Sequence, residues 1–476
     1  MHFLRCLRCR LPLRSYPMRP VMPSRWLLTT LLVCLLVQNV LAIDVNPEDE
    51  TSLKAAAKTV ASTMMDFYND RDSKDIPGKM DDTWWEGGSM FMTLIQYWYL
   101  TGDTQFNDAI QEGMYWQKGD ENNFFPSNYS QYLGNDDQVF WGLAAITAGE
   151  LNFPEREDEP SWISLAEGVF NGQVPRWDMT ACGGGLRWQI WPYQDGYNMK
   201  NAISNGGLFQ LSARLALYTK NATYAEWAEK IWDWSATTPL LRKTWVIADS
   251  TTNAASCEDH GDHQWTYNYA TYISGAGYMY NYTNGTESKW LEGVTGLINT
   301  SDQFFPASGS NQIISDITCE PSNQCDRNQK TFKAYFTSWL GFMSLIVPTN
   351  TTAEVMARFK TSAIAAGQQC SGGSDGNQCG VRWTKKTEWD GTTGLEQQMS
   401  VLGVLNAVMV PLAAQGIYSL DNGGTSKSDP HGSTSTEDSS TPAPITTGDR
   451  VGAGILTGVF VLLLIGTMSW MLIGGE

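Results

Sequence analysis

Gly134-Asn135-Asp136-Asp137-Gln138-Val139-Phe140-Trp141-Gly142 marks the point where a polar loop becomes an apolar helix. Asn135 reads as the N-cap, and Gln138 three residues on completes a box-like start. Asp136 and Asp137 then fall in the first turn, where the helix dipole favours carboxylates. Val139, Phe140, Leu143 and Ala144 give the helix its apolar face. Taken alone, two aspartates at a helix start do no more than complement the dipole. This start has more weight because of its setting: the approach loop is Phe124-Phe125-Pro126-Ser127-Asn128-Tyr129, the exit carries Trp141, and the whole chain is loaded with aromatics.

Similar openings stand at Asp81-Asp82-Thr83-Trp84-Trp85, Lys200-Asn201-Ala202-Ile203, Gln264-Trp265-Thr266-Tyr267, Lys330-Thr331-Phe332 and Thr393-Gly394-Leu395-Glu396. Counted from residues 81, 136, 201, 266, 330 and 394, the spacings are 55, 65, 65, 64 and 64. Each opening leads into an apolar, aromatic-rich helix, and an amphipathic helix comes after it, as in Tyr224 to Trp232. A period of this size with two helices per unit is an array of helical hairpins; propeller blades and tetratricopeptide units are shorter. Six hairpins whose inner helices are apolar all round predict an all-α fold, an (α/α)6 barrel, with Thr51 to Tyr68 among the outer helices of the first unit. In such a ring the polar openings gather at one end, so residues far apart in sequence can share a cleft. An open solenoid is the rival, but it needs polar capping repeats, and none stands out.

The two ends differ from this body. Residues 1–42 carry six arginines and no acid, then the apolar run Trp26 to Val37, then Val40-Leu41-Ala42 with a small residue at the cut: a secretory signal peptide. Residues 422–450 are rich in Gly, Ser, Thr, Asp and Pro and read as a disordered stalk. Val451 to Ile473 is an uncharged apolar run, and only Gly-Gly-Glu comes after it. A spacer followed by an apolar tail with no basic flank reads as a GPI-attachment signal (residues 451–476), with a tail-type transmembrane anchor as the alternative. The body, residues 43–421, is then a single catalytic-sized domain at the cell surface, tethered to the membrane through lipid. The formal charge of −18 argues against nucleic acid as a partner.

Cysteine usage fits export. Three of nine cysteines leave with the signal, and Cys182, Cys257, Cys319, Cys325, Cys370 and Cys379 remain. The short loops Cys319–Cys325 and Cys370–Cys379 are natural local pairs, which leaves Cys182 with Cys257. Zinc is disfavoured, since no C-x-x-C occurs among the six. Sequons at Asn128, Asn221, Asn281, Asn284, Asn299 and Asn350 suit a glycosylated surface.

The chemistry points to sugar. The 20 Trp and 19 Tyr are a heavy aromatic load, and paired carboxylates among aromatic rings do acid–base work on pyranosides whose apolar faces the rings cover. In these features the chain resembles glycoside hydrolase family 76, the α-1,6-mannanases, in its fungal, GPI-anchored cell-wall branch. The resemblance spans roughly residues 45–420 and rests on Met80-Asp81-Asp82-Thr83-Trp84-Trp85-Glu86-Gly87-Gly88, Leu133-Gly134-Asn135-Asp136-Asp137-Gln138, Cys182-Gly183-Gly184-Gly185-Leu186-Arg187-Trp188-Gln189 and Asn201-Ala202-Ile203-Ser204-Asn205-Gly206-Gly207. It implies an (α/α)6 fold and a retaining mechanism with Asp136 as nucleophile and Asp137 as acid/base. It also implies α-mannose glycans of GPI anchors as donor and cell-wall β-glucan as acceptor. Neither a cofactor nor a metal is expected, and the protein is expected to act as a monomer.

Substrate contacts are expected from Asp81, Asp82, Trp84, Trp85, Asn135, Arg187, Trp188, Asn201 and Asn205. Several have a plainer reading. Thr83 with Glu86 makes a capping box, so one neighbouring Asp can simply complement the dipole. Trp84 and Trp85 are adjacent, so at most one faces the cleft and the other belongs to the core. Gly183-Gly184-Gly185 reads as a tight or flexible turn that places Trp188 as a sugar platform, and Asn201 and Asn205 either read hydroxyls or cap a helix. Glu258-Asp259-His260-Gly261-Asp262-His263 suggests a polar loop at the cleft rim rather than a metal site, since it lacks the H-E-x-x-H form. Three functions remain open: transglycosidase, plain endo-α-1,6-mannanase, and a non-catalytic wall lectin, which retention of both Asp136 and Asp137 disfavours.

Overall fold

A computed structural model describes residues 42–258, 263–306, 312–385, 389–432 and 447–473. The proposed signal peptide up to residue 41, residues 259–262 and residues 433–446 of the proposed stalk lie outside the described residues.

Among the described residues, twelve helices form the body. Six are inner: α2 (Trp84–Thr101), α4 (Asn135–Glu150), α6 (Ala202–Thr219), α8 (Thr266–Tyr282), α10 (Phe332–Met343) and α12 (Leu395–Ala413). Each begins within a few residues of one of the six polar openings. Six are outer: α1 (Glu50–Asn69), α3 (Asn107–Gln117), α5 (Trp162–Gln173), α7 (Ala222–Ala236), α9 (Ser288–Thr300) and α11 (Thr349–Gln368). Each inner helix packs on the next, and α12 returns to α2, so the ring is closed and the (α/α)6 expectation holds. α1 lies against α12 as well as α2, so the N-terminal helix completes the last hairpin rather than the first.

The inner helices are buried on every side, as a helix between two layers must be; in α6 every residue from Ala202 to Tyr218 is buried. At the seam, the Asn406 amide of α12 donates to the Thr93 carbonyl of α2 at 3.0 Å. α10 and α12 approach closely because glycine stands at the crossing: a Cβ on Gly403 would come within 2.9 Å of the Ala334 Cα. The outer helices are amphipathic, and three of them carry side-chain caps. Asp49, Ser161 and Asn221 each accept from the first turn of α1, α5 and α7.

Disulfides Cys182–Cys257, Cys319–Cys325 and Cys370–Cys379 are present as the spacing predicts. Two small antiparallel ribbons sit in the loops, β1 (Met199–Asn201) with β2 (Ser250–Thr252), and β3 (Cys370–Gly372) with β4 (Gln378–Cys379).

The stalk does not begin at residue 422. Residues 418–432 form a strap that climbs the outside of the barrel. The Tyr418 amide donates to the Glu150 carbonyl (2.8 Å), Ser426 Oγ accepts from the Ile163 amide (2.9 Å), and Asn171 donates to the Gly432 carbonyl (2.9 Å). Polar composition suggested disorder, but the buried Glu167 carboxylate takes Ser428 Oγ at 2.6 Å and the Asp429 amide at 2.5 Å, which holds the polar segment down. Farther on, α13 (Thr447–Ile473) exposes Ile455, Leu456, Phe460 and Leu462.

Candidate active site

The N-terminal ends of the inner helices open onto a cavity of about 360 Å³. At its floor is the first turn of α4. The helix starts one residue earlier than the sequence reading: Gly134 is the N-cap, and the Asp137 carboxylate reaches back to its amide at 2.6 Å. Asn135 and Gln138 are therefore not the cap and its box partner. Both are buried, and both side-chain oxygens accept from Arg176, at 3.0 and 2.7 Å. The Asn135 amide group also donates to the Arg187 carbonyl at 2.9 Å. Asn135 thus splices α4 to the 186–190 loop, and with Arg187 it lines a neighbouring pocket instead of the cavity that holds the aspartates.

Asp136 and Asp137 are half-buried at this floor. Both Asp136 oxygens accept N–H groups, Oδ1 from the Asp137 amide at 3.0 Å and Oδ2 from Asn201 Nδ2 at 3.3 Å. Only Oδ2 of Asp137 accepts a hydrogen bond among the described residues. Burial, and secondly the Asp137 charge, push the Asp136 carboxyl well above its usual range. Burial pushes Asp137 up to about 6. Two carboxylates this close and this dry do not both ionise cheaply, so the pair keeps a proton into weakly acidic solution. Burial and the Asp137 charge favour the proton on Asp136, and hydrogen bonding opposes them: Asp136 has N–H donors on both oxygens and Asp137 on one, which favours Asp136 as the anion and Asp137 as the acid.

Three sequence candidates join them. Trp85 packs on Phe140 with ring centres 4.6 Å apart and faces the cavity, whereas Trp84 is buried against Trp141, its indole N–H held by Gln117 at 2.7 Å, and its ring edges only the second lobe described below. Trp188 forms a wall, its amide bonded to the Met199 carbonyl at 2.7 Å. Asn201 caps α6 and orients Asp136 at once. Arg187 and Asn205 do not reach the cavity. Arg187 pairs with Asp178 at 2.9 Å and lies over Tyr197, and the buried Asn205 clamps both the amide and the carbonyl of Leu186. The triple glycine is a tight turn, with Gly183 and Gly185 at φ of 65° and 97° and the Trp234 indole packed on Gly185. The fully buried Lys200 ammonium gathers the Asp178 and Ala181 carbonyls under that turn at 2.9 and 2.7 Å.

Beyond Asp137 a second lobe of about 370 Å³ is lined by Lys79, Asp81, Asp82, Tyr129 and Tyr132. Trp85, Asp137 and Asn328 border both lobes, while Asp136 lines only the first. Asp81 is engaged with the Asp72 and Ser73 amides at 3.0 and 2.7 Å; hydrogen bonding, first from the Ser73 side chain and then from these amides, holds its carboxyl below the usual range. Asp82 stands at the rim, 3.6 Å from Arg327. Arg327 also holds Glu396 (2.6 Å) and the buried Glu86 (3.0 Å), which fixes the loop that carries Asn328. Burial, then the Glu396 charge, push Glu86 to about 8.

Sequence reasoning passed over Asp249, Asn328 and Phe332 as site residues, and it placed Tyr267 only as part of a helix opening. Tyr267 stacks on Phe332 at 3.8 Å in the cavity wall. Asp249 reaches the cavity because β2 pairs with β1, bringing it beside Asn201, where Asn268 donates to it at 2.9 Å. His263 lies at the surface, with its ring 5.9 Å from Trp265.

These protonation states set a pH dependence. If Asp137 must be protonated to act, kcat/KM falls as pH rises through about 6, while Asp136 must stay ionised for attack. Measuring kcat/KM from pH 4 to 8 checks this, and a flat profile across pH 6 rules out Asp137 as the acid.

Comparison with known proteins agrees with this architecture. Residues 52–420 match the model of glycosyl hydrolase family 76. The chain is 38% identical over 436 residues to the Saccharomyces cerevisiae protein named mannan endo-1,6-alpha-mannosidase DCW1, covering 90% of this chain and 95% of that one. Dfg5 from Chaetomium thermophilum, solved in complex with glucosamine, superposes with a TM-score of 0.77 at 37% identity, over 84% of this chain and 99% of that chain. An inactive aspartate-to-alanine variant of a Salegentibacter α-1,6-mannanase, bound to α-1,6-mannotetrose, shares the fold at 17% identity with a TM-score of 0.59, over 75% of this chain and 98% of that one. By the family model over most of its length and by relatives well above a third identical, this chain belongs to glycosyl hydrolase family 76 and is a glycoside hydrolase.

Proposed function

We propose that the protein is a retaining α-1,6-mannan-active glycosidase that works as a transglycosidase, cutting within the mannose core of GPI glycans and passing the glycosyl group to cell-wall β-glucan. One observation carries the reading: Asp137 sits where two cleft lobes meet, and Asp136 faces only one of them. A nucleophile belongs under the donor sugar, and an acid/base belongs at the bond between donor and leaving group. Asp136 attacks the anomeric carbon from the Trp188 lobe. Asp137 protonates the departing oxygen, then takes a proton from the incoming hydroxyl. The names of the relatives supply the α-1,6-mannosidic linkage. A plain endo-α-1,6-mannanase shares the first half of this chemistry and differs only in using water.

The terminal segments support the location. Export, GPI attachment near Ser439 or Ser440 and loss of residues 451–476 would tether a monomeric enzyme at the membrane, where GPI donors are crowded. The strap brings the chain to Gly432 beside Asn171, on the helix whose last residue, Gln173, bonds to Asn135 under the cleft. The tether therefore leaves from the side of the barrel toward the cleft end, which suits a cleft facing the membrane. Phospholipase release of the protein from membranes tests the anchor; retention together with an intact Glu476 would identify a transmembrane tail.

Product analysis decides between transfer and hydrolysis. With a GPI-type mannoside donor, adding a glucan oligosaccharide is expected to divert most product from free reducing sugar to a mannosyl-glucan conjugate. Trp188→Ala, in the donor lobe, is expected to lower transfer and hydrolysis together, whereas Tyr132→Ala in the second lobe is expected to lower transfer more than hydrolysis, because a ring that covers the acceptor sugar also excludes water. Reducing ends alone, whatever acceptor is supplied, would leave the plain mannanase.

A further inference from the structure

The outer face of α9 carries a groove unrelated to the cleft. Ser288, Leu291, Glu292, Thr295, Gly296 and Asn299 fall at helical spacing and line one wall, with a cavity of about 690 Å³ along it. At 1.5 Å per residue the wall runs for about 16 Å. Trp245 and Tyr280 form the facing wall. Gly296 is required there, since a Cβ would come within 2.4 Å of the Trp245 indole. Trp245 itself is held at a φ of 63°, a costly conformation for a tryptophan, and its ring stays half-exposed in the groove. Its indole N–H and the Tyr280 hydroxyl make no hydrogen bond among the described residues. Two aromatic rings with unused polar tips, in a groove of small and polar side chains, match the alternating apolar faces and polar groups of N-acetylglucosamine.

Such a sugar has an attachment point in the groove. Asn299-Thr300-Ser301 is a sequon, and Asn299 is exposed at the end of the wall. We propose that Asn299 is glycosylated and that its core N-acetylglucosamine units fold back into the groove, against Trp245 and Tyr280. The proposal rests on export through the secretory pathway. The modification replaces one Nδ2 proton of Asn299 by the anomeric carbon of the first sugar; a lipid-pyrophosphate oligosaccharide is the donor and lipid pyrophosphate the leaving group. Once seated, the glycan covers an aromatic patch on the outer ring and makes this glycan part of the folded surface, unlike one on the exposed Asn350 at the start of α11.

The test uses the full chain secreted from a eukaryotic host. Glycopeptide mapping establishes occupancy at Asn299 and Asn350, and an endoglycosidase that cuts between the two core N-acetylglucosamines is then applied to the native protein. Release from Asn299 is expected to be at least about tenfold slower than from Asn350, and equal once the protein is unfolded. Thr295→Arg, an exposed helix position whose new side chain fills the groove, is expected to remove the protection without lowering the unfolding temperature; Trp245→Ala should remove it as well, with a lowered unfolding temperature because its ring also packs on Trp232. Equal native rates, protection that survives Thr295→Arg, or an empty Asn299 beside an occupied Asn350 would each overturn the seat. A protein unglycosylated at every sequon would overturn the secretory reading, and the seat with it, while leaving the assignment of the cleft untouched.

Discussion

Asp136→Asn is expected to lower turnover at least about 10³-fold and to abolish formation of a covalent glycosyl-enzyme, while the protein stays folded. The amide keeps the carboxylate's shape and can still accept from the Asp137 amide, so the first turn of α4 survives. What it loses is the anion that attacks the anomeric carbon. A fluorinated mannosyl reagent with a good leaving group separates the two aspartates. It needs a nucleophile but little acid, so Asp137→Asn should still be labelled and Asp136→Asn should not. Labelling of Asp136→Asn at the wild-type rate would show that the nucleophile lies elsewhere, and Asp249, the third carboxylate in the cavity, would be the next to test.

The second large effect lies at the other end of the same helix. Glu150, the last residue of α4, is buried with Arg214 and Tyr278 in the closed end of the barrel. Arg214 Nη2 donates to Glu150 Oε2 at 2.6 Å, the Tyr278 hydroxyl donates to the same oxygen at 3.0 Å, and Arg214 also donates to Thr147 Oγ1 at 2.8 Å. The two charged side chains are 5% and 3% exposed, so neither charge can turn to water if its partner goes. Glu150→Ala is therefore expected to destabilise the fold by about 3–5 kcal/mol, because it strands a guanidinium in the core. Glu150→Met with Arg214→Met should recover most of that loss, since a buried pair replaced by apolar groups of similar volume is often neutral. Urea unfolding with the disulfides intact measures both. Fourteen residues of helix, about 20 Å, separate Glu150 from Asp136, so activity per folded molecule should not change. An unchanged midpoint for Glu150→Ala would mean that water reaches this end of the barrel.

Much of the architecture was legible because it is periodic. A buried inner helix must be apolar all round and an outer one apolar on one face, and that alternation repeats along the chain wherever the ring repeats. The six openings therefore located all six inner helices, and short cysteine loops located two disulfides and by remainder the third. The aspartate pair was legible for a related reason: carboxylates at the start of an apolar helix are visible in one dimension.

Side-chain direction was not. Trp84 and Trp85 are neighbours with the same chemistry, and only the packing of α2 against α4 buries the first against Trp141, at the edge of the second lobe, and turns the second onto Phe140 beside Asp136. Asn135 and Asn201 both look like caps or sugar ligands. One is buried by Arg176 and the Arg187 carbonyl, the other touches Asp136, and the distinction arises from a loop that crosses beneath α4. Asp249 belongs to no period and no motif; it enters the site through a three-residue strand pairing, β1 with β2, between segments 50 residues apart. The strap at 418–432 misled composition in the same way, since its polar groups are satisfied by Glu167 and Asn171 instead of by water. The sequence by itself determined the ring, its helices, its disulfides and the carboxylate pair, because repeat, hydropathy and spacing are properties of the linear chain. The tertiary structure alone decided which polar groups hold the scaffold and which are left facing the cavity, because that depends on which partner each group meets once the ring has closed.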